Sequence, residues 1–263
     1  MYPDTETEIS YTYLQKLIKV LEEPICMIGG WAVFFHAQDE FKKAQNRPYL
    51  GSRDIDLGFH FDPKWTIKEM KNSAFVRTMD ILEKDLKFEA INFRLMKEIH
   101  SETGKEIPKD KHIPQHFIFP MYVDLIIDHI PKDFKEVIRL NPIDEPLLRY
   151  VFEDKKYRST KETLHKKLLL PSVSLMIAMK LKSLPNRDKN HKRVKDICDL
   201  FALMWYSSEK ISKIKEDLKI FVKRKDIEKA LACLEKNSLE SASISLGHSI
   251  EEIERVIMQL VIK

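Results

Sequence analysis

The spacing of apolar residues changes along the chain, and each change of period predicts a different element. Leu14, Leu17, Ile18 and Leu21 recur at helical spacing, so Tyr11 to Leu21 reads as an amphipathic helix that Pro24 stops. Ile25 to Ile28 is wholly apolar and reads as a buried strand. Gly29-Gly30 then marks a turn, and Trp31 to His36 reads as a helix. Gln38 to Leu50 is polar and reads as a loop, before a second strand that carries Asp54 and Asp56. Trp65 to Lys84 shows helical spacing through Ile67, Met70, Phe75, Met79 and Leu82. Phe88 to Leu95 alternates as a strand, and Ser101 to Lys111, with Gly104 and Pro108, reads as a loop or hairpin end. Gln115 to Phe119 and Met121 to Ile127 read as strands interrupted by Pro120, with a further strand signal at Leu147 to Phe152. After Pro171 the pattern turns helical. Ser172 is a natural N-cap for a helix that Pro185 ends near Leu184. Val194, Ile197, Leu200, Phe201 and Met204 mark the next helix, and two or three more complete the chain, the last over Ile250 to Ile262. The whole predicts an α+β chain, with an α/β core over residues 1–165 and a helical C-terminal domain over 166–263.

Within the second strand, Gly51-Ser52-Arg53-Asp54-Ile55-Asp56-Leu57 places two carboxylates two residues apart. Side chains alternate along a strand, so Asp54 and Asp56 share one face while Ile55 and Leu57 bury on the other. Like charges this close repel, and a divalent cation bound to carboxylate and phosphate oxygens removes the penalty. Asp-X-Asp pairs also arise by chance, cap turns or face solvent. The upstream Gly29-Gly30 tips the balance, because a glycine turn followed by a helix start lets backbone N–H groups meet an anion.

The order apolar-Gly-Gly, helix, Asp-apolar-Asp resembles the nucleotidyltransferase superfamily that includes DNA polymerase beta. Leu175 to Leu184, followed by Arg193-Val194-Lys195-Asp196-Ile197-Cys198-Asp199-Leu200, resembles its AbiEii toxin branch, which includes the mycobacterial MenT enzymes. The resemblance spans roughly residues 25 to 205. It implies a nucleotidyltransferase-fold mixed sheet flanked by helices. It also implies a third carboxylate on a neighbouring strand, a helical lysine on the triphosphate, and an aspartate beside that lysine. Asp124, flanked by apolar residues in Tyr122-Val123-Asp124-Leu125, is the favoured third carboxylate, and Asp128 has the same parity. Lys180 matches the lysine, with Lys182 nearby, and Asp196 matches the later aspartate as a base or as the group that orients Lys180. Without the resemblance, Lys180 reads equally as a core-edge lysine, and Lys195 with Asp199 as a surface pair at i,i+4. The branch often carries Arg-X-Thr before the aspartates; here Leu50 and Ser52 stand in those places, with Arg47 and Arg53 the nearest arginines.

Charge sharpens the picture. Between Lys155 and Lys195 thirteen lysines and arginines oppose Glu162 and Asp188, although the whole chain carries only +4. Such clustering is the footprint of a polyanion partner or, more simply, a solvated basic face. Hydrophobic content of 43% supports a full core. The three cysteines are too far apart for a zinc or disulfide pattern, and the acidic, polar start is unlike a signal peptide. With no apolar run long enough to span a bilayer, a cytoplasmic protein without a membrane partner is expected. His100, His112, His116 and His129 lack metal spacing, Trp31, Phe34 and Phe35 read as core, and no Gly-Lys-Ser/Thr loop is present.

These readings converge on an expectation. The chain is a Mg²⁺-dependent nucleotidyltransferase, with Asp54, Asp56 and Asp124 as metal and catalytic residues and Lys180 and Asp196 completing the catalytic set. Gly29, Gly30, Ser52, Lys180 and Lys182 would bind a nucleoside triphosphate. The expected acceptor is RNA, a tRNA 3′ end in particular, with a toxin-like role and a cognate antitoxin. The alternatives are transfer to a protein or small-molecule hydroxyl, and an inactive fold that binds nucleic acid or a partner.

Overall fold

The computed structural model describes residues 4–108, 110–138 and 140–261. They gather into two units: residues 4–31 with 51–170, built on a sheet, and residues 32–50 with 171–261, built from helices.

Helix α1 (Asp4–Val20) buries Tyr13, Leu14, Leu17 and Ile18, and β1 (Ile25–Ile28) follows with all four residues buried. Helix α2 runs from Gly29 to Gln45, so the polar stretch expected as a loop is helical for most of its length. Ala37 and Phe41 explain this: both are fully buried and continue the stripe begun by Val33 at helical spacing. Phe41 packs edge-on against Tyr49 and Tyr206, ring centroids 5.1 Å apart in each case. Strand β2 (Ile55–Phe59) follows. The single helix expected over Trp65 to Lys84 is broken into α3 (Ile67–Lys71), α4 (Ala74–Asp80) and a π turn over Ile81–Asp85. The break falls where Ser73 Oγ accepts the Val76 N–H at 3.3 Å, a cap competing with helix continuation.

The strand expected over Phe88 to Leu95 is instead a hairpin, β3 (Glu89–Ile91) and β4 (Arg94–His100), turning at Asn92 with φ +56°. Gln115–Phe117 forms a 3₁₀ turn rather than a strand. Strand β5 (Ile118–Ile127) then runs straight through Pro120. Proline is tolerated there because pairing with β2 begins only at Val123, so a ladder faces Pro120 only on the β4 side. After α5 (Phe134–Val137) and β6 (Ile143–Asp144), the expected strand at Leu147 to Phe152 is a 3₁₀ turn leading into α6 (Arg149–Glu153). Pro146 starts this turn, and Glu145 Oε1 accepts the Leu147 N–H at 3.1 Å. A hairpin that the sequence did not signal, β7 (Arg158–Thr163) and β8 (Lys166–Pro171), completes the sheet.

The eight strands form one mixed sheet in the order β3-β4-β5-β2-β1-β8-β7, with β6 on β5. β1 is antiparallel to β2, and β2 is parallel to β5. The sheet, the helices around it and the helical C-terminal part match the expected α+β class. Beyond the sheet, α7 (Val173–Ser183) starts at Ser172, whose hydroxyl accepts the Leu175 N–H, and α8 (Asn190–Trp205) follows. Four further helices follow among the described residues: α9 (Ile211–Phe221), α10 (Arg224–Leu231), α11 (Lys236–Leu246) and α12 (Ile250–Ile257). A 3₁₀ turn over Met258–Leu260 ends the described chain, and Ile262, the expected end of the last helix, lies outside the described residues.

Candidate active site

Three sequence motifs about 30 to 70 residues apart meet in one row across the sheet. Asp56 on β2 lies beside Asp124 on β5, Arg94 on β4 lies beside Asp124 on its other side, and Ile28, the last residue of β1, lies beside Asp56. Alternation places these side chains as expected. Ile55 and Leu57 are buried while Asp56 is only partly so, and Asp124 stands between the fully buried Val123 and Leu125. Asp54 sits in the bend just before β2. Asp128, the competing candidate, lies at the far end of β5. It contacts His60 Nδ1 and accepts the Phe61 N–H at 2.9 Å, so it closes a turn outside this row.

Gly29 is fixed by this row. Its φ is +64°, and a Cβ built there would stand 1.8 Å from Asp56 Oδ2. No side chain fits. The Asp56 carboxylate therefore packs against the first residue of α2, where unpaired N–H groups favour a negative charge. Gly30 continues the helix and is buried. Ser52 lies half-buried in the loop before Asp54. Its neighbour Gly51 is pressed against Thr7 and Trp31, so this loop is shaped by packing.

Arg94 was missed by the sequence reading. It grips Asp124 with two hydrogen bonds, Nε to Oδ1 at 2.9 Å and Nη2 to Oδ2 at 2.5 Å. The same Nη2 lies 3.6 Å from Asp54 Oδ2, and the guanidinium lies 4.1 Å over the Tyr122 ring. Burial disfavours its charge, but the bonds to Asp124 and the charges of Asp124, Asp54 and Asp56 outweigh that and raise its pKa above the ordinary arginine value. The available signal was the electrostatics itself: clustered carboxylates demand a cation, and Arg94 lies within the strand-patterned run Phe88 to Leu95.

In the helical unit, Lys180 meets Asp196, with Nζ to Oδ1 at 2.6 Å. Lys180 Nζ also lies 2.7 Å from Asp199 Oδ2. Arg187 Nε reaches Asp196 Oδ2 at 2.5 Å, the Tyr49 hydroxyl donates to Asp199 Oδ1 at 2.7 Å, and Lys195 contacts the same oxygen. Asp196 and Asp199 are at most 1% exposed, so the Lys195–Asp199 pair is buried rather than on the surface. Desolvation opposes the Asp196 charge, but Lys180 and Arg187 overcome it and hold its pKa below the ordinary aspartate value. Desolvation likewise opposes the Lys180 charge, and Asp196 and Asp199 overcome it, raising its pKa above that of a free lysine. Lys182, by contrast, is exposed on α7. Arg53 pairs with Glu6 at 2.7 Å, and Arg47 donates to the Ser245 carbonyl at 2.5 Å, so each arginine near the aspartates has a structural partner.

The carboxylates of Asp56 and Asp124 on the sheet, and of Asp54 in the bend before β2, are the hard oxygen donors that Mg²⁺ prefers. Their arrangement does not fit one: among the described residues no group of three or more His, Cys, Asp or Glu side chains is disposed to hold a metal ion, and Arg94 supplies the positive charge instead. Among the described residues, no helix is long and apolar enough to cross a membrane.

No protein-family model and no curated protein matches the sequence. Among solved structures, the chain is similar to an antigenic nucleotidyltransferase-like protein from Paracoccidioides brasiliensis, at 19% identity over 93% of each chain with a TM-score of 0.42.

Proposed function

We propose that this chain is a nucleotidyltransferase that moves a nucleoside monophosphate from a triphosphate to an acceptor hydroxyl. The observation that carries the reading is the register of Asp56 against Asp124, with Gly29 shaped around the Asp56 carboxylate. Such convergence is costly unless the site is used: like charges repel, and a partly buried carboxylate needs compensation. In the reaction the acceptor oxygen bonds to the α-phosphorus, the bond to pyrophosphate breaks, and the acceptor hydroxyl gives up its proton. Asp54, Asp56 and Asp124 are the acidic groups at the reacting centre.

The proposed acceptor is RNA, with a tRNA 3′ end first among the candidates and a toxin-like role restrained by an antitoxin. The basic stretch supports it only in part. Lys180, Arg187 and Lys195 are spent on Asp196 and Asp199, whereas Lys155 in the turn before β7 and Lys167 on β8 are exposed. The test offers each of the four α-labelled triphosphates with total RNA, a cell lysate and an aminoglycoside panel. Label on RNA that disappears with Asp56→Ala supports the reading. Label on protein or aminoglycoside moves the acceptor, and absence of label on every acceptor refutes the activity.

A further inference from the structure

The β3–β4 hairpin carries exposed apolar side chains to the edge of the acidic row. Residues directly opposite one another in a sheet share a face, so Ile91, Arg94, Asp124 and Asp56 line up on one side of it. Ile91 is 38% exposed, and Phe93, in the turn between the two strands, is 44% exposed. Single exposed apolar residues are ordinary. Phe93 is set apart by what stands beside it. The Arg94 guanidinium lies 5.3 Å from its ring centroid and 4.1 Å from that of Tyr122. Three planar groups thus cluster at the end of the row. Tyr122 and Arg94 are half-buried, and Phe93 is the exposed member.

Planar partners stack on such a ring, and every nucleobase has a face to offer. The neighbouring charge says which part of a nucleotide follows the base. The Asp54 side chain is 28% exposed, and its Oδ2 lies 3.6 Å from Arg94 Nη2, too far for a hydrogen bond. A carboxylate accepts hydrogen bonds from hydroxyls and repels phosphate oxygens. A base on Phe93 is therefore best followed by a ribose with free hydroxyls, the chemistry of an RNA 3′ end, rather than by a triphosphate. We propose that Phe93 is the stacking platform for the terminal base of an RNA acceptor, whose ribose hydroxyls then face the Asp54 carboxylate. The inference rests on the activity proposed above and names a residue that positions its acceptor.

The test is fluorescence anisotropy of a 5′-labelled single-stranded RNA with free 3′-terminal hydroxyls, without triphosphate and so without turnover. One RNA ends in adenosine, and a second ends in the same ribose without its base. The wild type is expected to bind the first about tenfold more tightly. Phe93→Ala is expected to lose that preference and Phe93→Trp to keep it. Phe93→Leu, apolar but without a ring, is expected to resemble Phe93→Ala. Equilibrium binding of nucleoside triphosphate should be the same in the wild type and Phe93→Ala. Circular dichroism checks that the variants are folded, and Phe93→Leu decides the question if Phe93→Ala is not. A folded Phe93→Ala that keeps the base preference overturns the proposal. So does a Phe93→Ala that weakens triphosphate binding and leaves RNA binding untouched, which would put the donor base on the ring. The labelled-triphosphate assay judges the activity separately. Transfer that depends on Asp56, without any base preference in RNA binding, keeps the activity and removes the platform. A base preference that depends on Phe93, without transfer, keeps the platform and removes the activity.

Discussion

At Gly29 the smallest side chain is excluded by two conditions together, a φ of +64° and an Asp56 oxygen 1.8 Å from where a Cβ would be. Gly29→Ala is therefore expected to displace the Asp56 carboxylate. It should cost about 1–3 kcal/mol in urea unfolding and remove most nucleotidyl transfer. Full transfer by this variant would separate Gly29 from the site. Lys180 makes a contrasting case. A lysine that clamps phosphate raises the KM for nucleotide when removed and leaves stability nearly unchanged. Lys180 lies instead between two buried carboxylates at 2.6 and 2.7 Å. Breaking such a buried pair costs about 3–5 kcal/mol, so Lys180→Ala is expected to lower the urea midpoint sharply. An unchanged midpoint with a raised KM would return Lys180 to the triphosphate.

At the level of elements, the motif-bearing segments were legible and their surroundings were not. β1 and the Ser172-capped α7 were readable because each carries a local signal, a short apolar run or a capping serine. α2 was read too short because one residue, Phe41, decides whether its second half is buried. Phe41→Ala should destabilise the chain by about 3–5 kcal/mol in urea unfolding, as expected for deleting a fully buried ring. A cost below about 1 kcal/mol would mean that the helix end is held by something else. Leu147 to Phe152 was misread because short apolar runs suit either helix or strand; Pro146 and the Glu145 cap settle the matter locally. Asp56 and Asp124 stand out in the sequence because a carboxylate in an apolar strand is conspicuous. Arg94 does not, because only strand register reveals that it lies opposite Asp124.

Across the whole molecule, buried ionisable groups make stability depend on alkaline pH. Burial pushes the Cys198 thiol up to about 12, and it also raises the Cys26 thiol and the Tyr49 phenol. A folded pKa above the unfolded one means that the unfolded chain loses its proton first. Stability from these groups is thus complete below about pH 8.5, the ordinary thiol value, and declines as pH rises towards the folded values. Lys180, also raised, adds to the decline above about pH 10.4. Urea midpoints should be flat from about pH 7 to 8 and fall by pH 10, less steeply in Cys26→Ala/Cys198→Ala; a midpoint unchanged at pH 10 would contradict the buried thiols. The purpose we propose for the sheet is to hold Asp56 and Asp124 side by side. The most direct test of that purpose is transfer of α-labelled nucleotide to RNA by the wild type and by folded Asp56→Ala. The expected result is labelled RNA with the wild type and a rate at least about 100-fold lower with the variant. Equal labelling by the two proteins would contradict the account.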